Sequence, residues 1–174
     1  ASEDEIREAV DTARAGGCSE LALLTCVSSY PAMPSDYNLS RIVDMRERFQ
    51  TVVGLSDHTL DNTCAIASIT LGGCIIEKHF TLDRKGGGAD DSFSLEPNDM
   101  KNLCESSLAA WQSIGSPEYG TKSTEKNNAQ YRRSLYFVKS LKKGDVIKID
   151  DIRSVRPGFG LPTKMFDSVV GSQV

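Results

Sequence analysis

The chain contains two histidines, and each closes a short apolar run: His58 ends "VVGLSDH" and His79 ends "CIIEKH". Two such runs, about one βα unit apart, are typical of neighbouring buried strands in a parallel sheet. Neutral imidazoles are common ligands of divalent metals, so two that converge would supply half of a metal site. The alternative is that each histidine is a hydrogen-bonded part of the scaffold.

Alternation along the strands sorts the neighbouring side chains. The imidazole faces of the two strands are expected to carry Ser56, His58, Glu77 and His79. The intervening residues, Asp57 and Lys78, are expected to point to the opposite face. Because Ser56, Asp57 and His58 are consecutive, their side chains do not form the relay of a Ser-His-Asp triad.

Three further residues are candidates for substrate contacts. Asp90 stands beside Asp91 in a glycine-rich loop beyond the His79 run; this pair is either a solvated turn or a carboxylate placed to bind a sugar hydroxyl or assist a metal-bound water. Tyr30 ends an earlier apolar run, where it either packs or contacts substrate. Arg156, in "RPG", would ordinarily be a surface charge.

The elements that position these residues alternate in type. Residues 1–115 predict the order α-β-α-β-α-β-α, with repeats typical of βα units. The first helix is predicted over Ser2–Ala15 and the last from "SLEPNDMKNLCESSLAAWQSIG", whose apolar face is expected to comprise Met100, Leu103, Leu108, Trp111 and Ile114. Residues 116–132 are polar and predict a linker, and residues 133–174 predict a small β-rich module.

Composition excludes several classes of protein. The 174 residues are 39% hydrophobic and 25% charged, with a net charge of −4, which is typical of a soluble globular protein. No basic stripe or bilayer-length apolar stretch is present, so neither nucleic acid nor membrane is an expected partner. Five cysteines without a C-x-x-C spacing predict buried free thiols in the cytoplasm.

Several motifs in a fixed order resemble the C-terminal half of the sialic acid synthase family. They are "LLTCVSSYP", "GLSDHTL", "IIEKHFTLDR", "DDSFSLEP" and "RRSLYFVKSLKKGDVI" followed by "VRPGFGL". The "DDSFSLEP" form, with Phe93 and Ser94, is most similar to the pseudaminic acid synthase branch. N-acetylneuraminate and legionaminate synthases are the alternatives within the family.

The resemblance implies a partial (β/α)8 TIM barrel, comprising the C-terminal βα units, followed by a small antifreeze-like (SAF) domain. It implies an enzyme that condenses phosphoenolpyruvate with a 2,4-diacetamido-2,4,6-trideoxy hexose to form a nonulosonic acid, with release of phosphate by C–O cleavage. It also implies a divalent metal, typically Mn²⁺, and a domain-swapped homodimer. With only three barrel strands, the chain is expected to be a fragment that is inactive alone.

Carried over by motif, the resemblance also implies roles for single residues. The metal ligands would be His58 and His79. The phosphoenolpyruvate contacts would be Ser28 and Ser56, the sugar contacts Tyr30 and Asp90, and the residue reaching the partner subunit's site Arg156. Asp90 is also the predicted catalytic carboxylate. A reading of another class is a non-catalytic carbohydrate-binding or dimerisation fragment.

Overall fold

The computed structural model describes residues 1–174, apart from the side chains of Lys126 and Ala129. The chain divides into two units, Ala1–Ser116 and Pro117–Val174. The first unit alternates helices and strands: α1 (Glu3–Ala15), β1 (Ala22–Cys26), α2 (Arg41–Phe49), β2 (Val52–Ser56), α3 (Thr63–Thr70), β3 (Ile75–Glu77) and α4 (Pro97–Ile114). This is the predicted order, with strands shorter than the apolar runs that predicted them.

Helix α1 begins at a capping box. The Ser2 hydroxyl accepts a hydrogen bond from the Glu5 N–H at 3.3 Å, and the Glu5 carboxylate accepts one from the Ser2 N–H at 2.6 Å. Acidic residues fill the first turn, where they favour the positive end of the helix dipole. The predicted start at Ser2 therefore corresponds to the cap residue itself.

The three strands of the first unit form a parallel sheet in the order β1-β2-β3. In the central strand, Gly54 pairs with Leu24 on one side and Ile75 on the other. A Cβ at position 54 would overlap the Ile75 carbonyl oxygen and lie 2.6 Å from Leu24 Cδ2. The close approach of the three strands thus requires glycine at this position.

Two of the three buried apolar clusters pack the helices of this unit. One joins α1, α2 and β2 through Val10, Ile42, Met45, Phe49 and Val53. The other joins α3 and α4 through Ala65, Leu103 and the intervening Leu95. These clusters fix the outer face of the sheet, and the carboxyl ends of the strands remain free to build a site.

Two sequence expectations about burial are wrong. Of the predicted apolar face of α4, Leu103 is buried, but Leu108, Trp111 and Ile114 are 51–64% exposed. The spacing of apolar residues along α4 predicts an apolar helix face. It does not show whether other elements of this unit cover that face along the whole helix. The cysteines are free, yet only Cys64 is buried and the other four are exposed.

The second unit is a small antiparallel module. Its sheet has the order β5-β4-β6, formed by β4 (Ser134–Phe137), β5 (Ile152–Val155) and β6 (Leu161–Pro162), and a short helix, α5 (Phe166–Val169), follows. The buried Ser134 hydroxyl donates to the Pro157 carbonyl at 2.7 Å and accepts from the Gly160 N–H at 2.9 Å. A 3-10 helix, Ser123–Tyr131, lies in the segment predicted as a linker.

Within the described part of the chain, no helix combines the length and the apolarity that are needed to cross a membrane.

Candidate active site at the ends of the parallel strands

His58 lies two residues beyond β2 and is held by the loop that follows β1. Its Nδ1 lies 2.8 Å from the Val27 carbonyl oxygen. Its backbone N–H donates to the Tyr37 hydroxyl at 2.7 Å, and its carbonyl accepts from the Ala32 N–H at 3.0 Å. Since a carbonyl oxygen only accepts, the hydrogen bond to Val27 places the proton on Nδ1. The Nε2 of a neutral His58 therefore keeps its lone pair.

His79 lies two residues beyond β3, and a returning loop places a carboxylate beside it. Leu95 donates its N–H to the His79 carbonyl at 2.8 Å and forms a bridge with Phe80, which brings the end of the glycine-rich loop to this strand end. Asp90 Oδ2 then lies 3.4 Å from His79 Nδ1. A carboxylate at this distance favours the proton on Nδ1, as the Val27 carbonyl does for His58.

The neighbouring Asp91 has a different environment. Its carboxylate accepts the Gly88 N–H at 2.7 Å. Hydrogen bonds from the Thr81 side chain and the Gly88 backbone lower the pKa of Asp91 below its ordinary value. Of the two acidic residues, the structure therefore brings Asp90 to the imidazole and uses Asp91 to close the loop.

Four aromatic and imidazole rings form one cluster. The ring centroids of His58 and His79 are 5.2 Å apart, and their planes are inclined by 66°. The Tyr30 ring lies 4.3 Å from His58 and 5.7 Å from His79. Phe93 lies 5.1 Å from His79 and 5.4 Å from Tyr30. In the sequence Phe93 stands out only as part of a family motif, and no local pattern indicates that it contacts the histidines.

The spacing of the two imidazole rings is compatible with binding to one metal ion. Metal–nitrogen bonds of about 2.1 Å place the two ligating nitrogens of one ion at most about 4.2 Å apart, which is compatible with adjacent rings whose centroids lie 5.2 Å apart. In both histidines the other nitrogen faces a backbone carbonyl or a carboxylate, the usual support of a ligating imidazole. Among the described side chains, no group of three or more His, Cys, Asp or Glu is placed to hold a metal. The two histidines would therefore supply two nitrogen ligands, which is half of a metal site.

Behind the histidines lies a buried ion pair that sequence analysis did not identify. Lys78 Nζ lies 2.9 Å from Asp57 Oδ2, and the two side chains are 2% and 0% exposed. Alternation predicted that both would point away from the imidazoles, but their pairing follows from the parallel register of β2 and β3. Removing one partner of such a pair typically destabilises a protein by about 3–5 kcal/mol.

Tyr37 is a further supporting residue that the sequence did not indicate. It is 1% exposed, and burial raises its pKa to about 12, with a further contribution from the nearby Asp57 carboxylate, while the hydrogen bond from His58 acts in the opposite direction. No local spacing connects position 37 with position 58. Only the packing of the β1–α2 loop on the sheet brings them together.

The remaining predicted site residues lie in three different places. Ser56 is buried on the histidine face of β2, and its hydroxyl donates to Glu77 at 2.9 Å. Ser28 is exposed after β1 and lines a cavity of about 530 Å³ together with residues of α1 and α2. Arg156 is exposed after β5 in the second unit.

Comparison with known proteins decides the family. The NeuB family matches residues 1–119, and the SAF domain matches residues 132–174. The chain belongs to the NeuB family. It is 32% identical to the pseudaminic acid synthase of Campylobacter jejuni over 173 residues, which is 99% of this chain and 50% of that protein. It is 37% identical to the N,N'-diacetyllegionaminic acid synthase of Legionella pneumophila over 175 residues, which is 98% of this chain and 49% of that protein.

A solved structure supports the same assignment. The N-acetylneuraminic acid synthetase of Leptospira borgpetersenii matches with a TM-score of 0.67 and 32% identity, over 76% of this chain and 46% of that one. The predicted fold class, a partial TIM barrel followed by a SAF domain, is thus confirmed. The NeuB chain described here spans about half the length of the curated relatives it matches.

Proposed function

We propose that this NeuB-family chain carries the metal-binding strand ends of a pseudaminic acid synthase, which condenses phosphoenolpyruvate with a 2,4-diacetamido-2,4,6-trideoxy hexose. The observation that carries the proposal is the pair of imidazoles 5.2 Å apart at the ends of adjacent parallel strands. The carboxyl ends of strands are where TIM barrels place their chemistry. The relatives in the comparisons support a nonulosonic acid synthase, and the choice of sugar is part of the proposal.

His58 and His79 would hold a divalent cation, which we propose is Mn²⁺. When bound, such an ion acts as a Lewis acid toward the aldehyde oxygen of the open-chain sugar. The protein's part is to orient each ring through its Nδ1 side, so that Nε2 is the nitrogen offered to the ion. The hydrogen bond to Val27 places the proton of His58 on Nδ1, and the Asp90 carboxylate, 3.4 Å from His79 Nδ1, would favour the same tautomer in His79.

In the proposed reaction, a bond forms between C3 of phosphoenolpyruvate and the aldehyde carbon. Water adds at C2, where positive charge develops, and phosphate departs as the bond between C2 and the bridging oxygen breaks. Tyr30 and Asp90 are proposed to orient the sugar hydroxyls, with Asp90 as the catalytic carboxylate. Ser28 and Ser56 are the proposed phosphoenolpyruvate contacts. Because a hydroxyl has a single donor proton, Ser56 would have to turn away from Glu77 to donate to that substrate.

Phe93 supports the choice of a deoxy sugar. Its ring stands beside His79 and Tyr30 and presents an apolar surface next to the imidazoles. An apolar wall favours a methyl group over a hydroxyl, because a buried hydroxyl without a partner is unfavourable. We therefore propose that Phe93 favours a 6-deoxy substrate.

Titration of the chain with Mn²⁺, followed by electron paramagnetic resonance, tests the metal site directly. We expect one site that is lost in His58→Ala and in His79→Ala. Asp4→Asn, which removes an exposed carboxylate from α1, serves as the matched control and should bind as the wild type does. Unchanged binding in both histidine variants would refute the metal site and favour a non-catalytic fragment.

Phosphate release tests the reaction. A protein that includes the whole barrel, supplied with phosphoenolpyruvate and Mn²⁺, should release phosphate fastest with the trideoxy hexose that pseudaminic acid synthases use. The sugars used by N-acetylneuraminate and legionaminate synthases are the comparison substrates, and a preference for either would replace the proposed one. The 174-residue chain alone should be inactive, because three strands supply less than half of an eight-stranded barrel.

Two wider features are also part of this proposal. The enzyme would act as a cytoplasmic, domain-swapped homodimer, with Arg156 of the SAF domain serving the site of the partner subunit. An Arg156→Ala variant of the complete enzyme should raise the KM for substrate while the oligomeric state, measured by light scattering, stays unchanged. A loss of activity that follows only from dissociation of the dimer would argue against a substrate contact.

A further inference from the structure

We propose that Asp57 and Lys78 are positioning residues that hold the two imidazoles at one spacing. They lie one residue before His58 and His79, on the opposite side of the two strands. The proposal rests on the proposed function in one respect, since its consequence for catalysis requires that the histidines bind a metal. The geometric part, that the pair fixes the distance between the rings, can be measured without any metal.

The contacts of Lys78 are complete. Its ammonium group donates to Asp57 Oδ2 at 2.9 Å, to the Thr59 carbonyl at 2.9 Å and to the Asp61 carbonyl at 2.6 Å. An ammonium group has three donors, so every one of them has an acceptor. The Lys78 side chain therefore ties β3 both to the residue before His58 and to the turn after it.

Asp57 completes the same arrangement from the other strand. Its second carboxylate oxygen, Oδ1, accepts the Thr59 N–H at 2.9 Å. Its own backbone N–H donates to the Glu77 carbonyl at 2.8 Å. The backbone on both sides of His58 is thus fixed relative to the strand that carries His79.

The histidines need such a constraint because they lie outside the sheet. The last paired residues of β2 and β3 are Ser56 and Glu77, so each histidine follows two residues after the ladder ends. Beyond the hydrogen bond from the Asp57 N–H to the Glu77 carbonyl, which precedes both histidines, the ladder no longer sets the separation of the two chains. The buried ion pair stands at this point, and because its side chains are 2% and 0% exposed it is screened little by salt.

A simpler interpretation is that the ion pair only stabilises the fold. The variants are chosen to distinguish this stabilising role from a positioning role. Asp57→Leu/Lys78→Met replaces the pair by apolar side chains, a change that often preserves or increases stability. It also removes the four side-chain hydrogen bonds that hold the turn after His58. Asp57→Asn, which keeps the shape of the side chain, is the second variant in case the first does not fold. Glu105→Leu/Lys101→Met, at an exposed ion pair on α4, is the matched control.

The first readout is the pair of rings in the metal-free chain. With only two histidines in the sequence, histidine-selective labelling shows two ring systems, and rings 5.2 Å apart should give a nuclear Overhauser effect between them. We expect this signal in the wild type and the control, and its loss or marked weakening in the pair variants that remain folded. An unchanged signal in a folded pair variant, or in Asp57→Asn when the double variant does not fold, would overturn the proposal.

The second readout is Mn²⁺ affinity. Loss of the groups that orient metal ligands typically weakens binding about 10–100-fold, and we expect a loss in that range for the double variant, with the control unchanged. Affinity within about twofold of the wild type in the folded double variant would also overturn the proposal. If the wild type binds no Mn²⁺, the metal site of the proposed function is refuted, and the ring signal alone decides whether the pair positions the histidines.

Discussion

Replacement of Tyr37 by phenylalanine tests how the histidine end of β2 is held. The Tyr37 hydroxyl accepts the backbone N–H of His58 at 2.7 Å, and the side chain is almost completely buried. Phenylalanine keeps the ring and its packing but removes the acceptor. A buried N–H without an acceptor destabilises the folded state by about 1–3 kcal/mol. We therefore expect Tyr37→Phe to lower the free energy of unfolding of the first unit by this amount at pH 8.

The same residue gives the wild type a dependence on alkaline pH. Its pKa is raised by burial from 10.0 to about 12 in the folded chain. The contribution of the neutral phenol is therefore fully present below pH 10 and is lost as the pH rises from 10 to 12. A difference of about two pKa units between the folded and the unfolded chain contributes about 2.7 kcal/mol to the free energy of unfolding. About half of this contribution is lost by pH 11. Phenylalanine does not titrate, so the variant lacks this loss.

Urea unfolding at pH 8, 10 and 11 measures both effects, in a buffer with a chelator and a reductant. Trp111, the one tryptophan of the chain, lies on α4 and reports on the first unit. The advantage of the wild type over Tyr37→Phe should shrink by about 1.4 kcal/mol between pH 8 and pH 11. Tyr119→Phe, at a fully exposed tyrosine, is the control and should follow the wild type. Parallel pH curves for the wild type and Tyr37→Phe would refute the reasoning.

Three further substitutions test the scaffold. Gly54→Ala should destabilise the first unit by about 1–3 kcal/mol in the same urea assay, because a Cβ at that position overlaps the neighbouring strand; Gly16→Ala, where the space is adequate, should not, and equal effects would contradict the packing argument. Ser134→Ala should speed amide hydrogen exchange in residues 156–160, since its hydroxyl makes two hydrogen bonds to that loop, whereas the exposed Ser113→Ala should leave exchange there unchanged. Ser2→Ala should reduce helicity by circular dichroism and stability by about 0.5–2 kcal/mol, because it removes the cap of α1; no change would show that the capping box does not hold this end.

Patterns within single segments predicted much of the fold. The βα order of the first unit follows from apolar runs separated by helical stripes, and the start of α1 follows from Ser2 and Glu5 at capping-box spacing. Period-two alternation also predicted which side chains share a face with His58 and His79. These inferences needed only neighbouring residues, for which sequence spacing and spatial direction are directly related.

Relations between distant segments could not be predicted in this way. The ion pair of Asp57 with Lys78 depends on the register Ser56↔Glu77, which neither strand specifies alone. The contact of Tyr37 with His58 depends on the packing of a loop. The exposure of Trp111 depends on what lies against α4, and its spacing along the helix carries no information about that.

The side chains at the strand ends lie on two faces with different roles. The strand register determines which side chain lies on which face. Ser56 at the end of β2 and His58 two residues beyond it face the proposed chemistry, whereas Asp57 faces the anchoring lysine. A shift of β2 by one residue would exchange the two faces, so that Asp57 would replace an imidazole in the site and His58 would be buried against Lys78. Gly54 opposes such a shift, since any side chain in its place would overlap the neighbouring strand. The geometry of the imidazoles therefore depends on a glycine that has no side chain and on an ion pair that faces away from them.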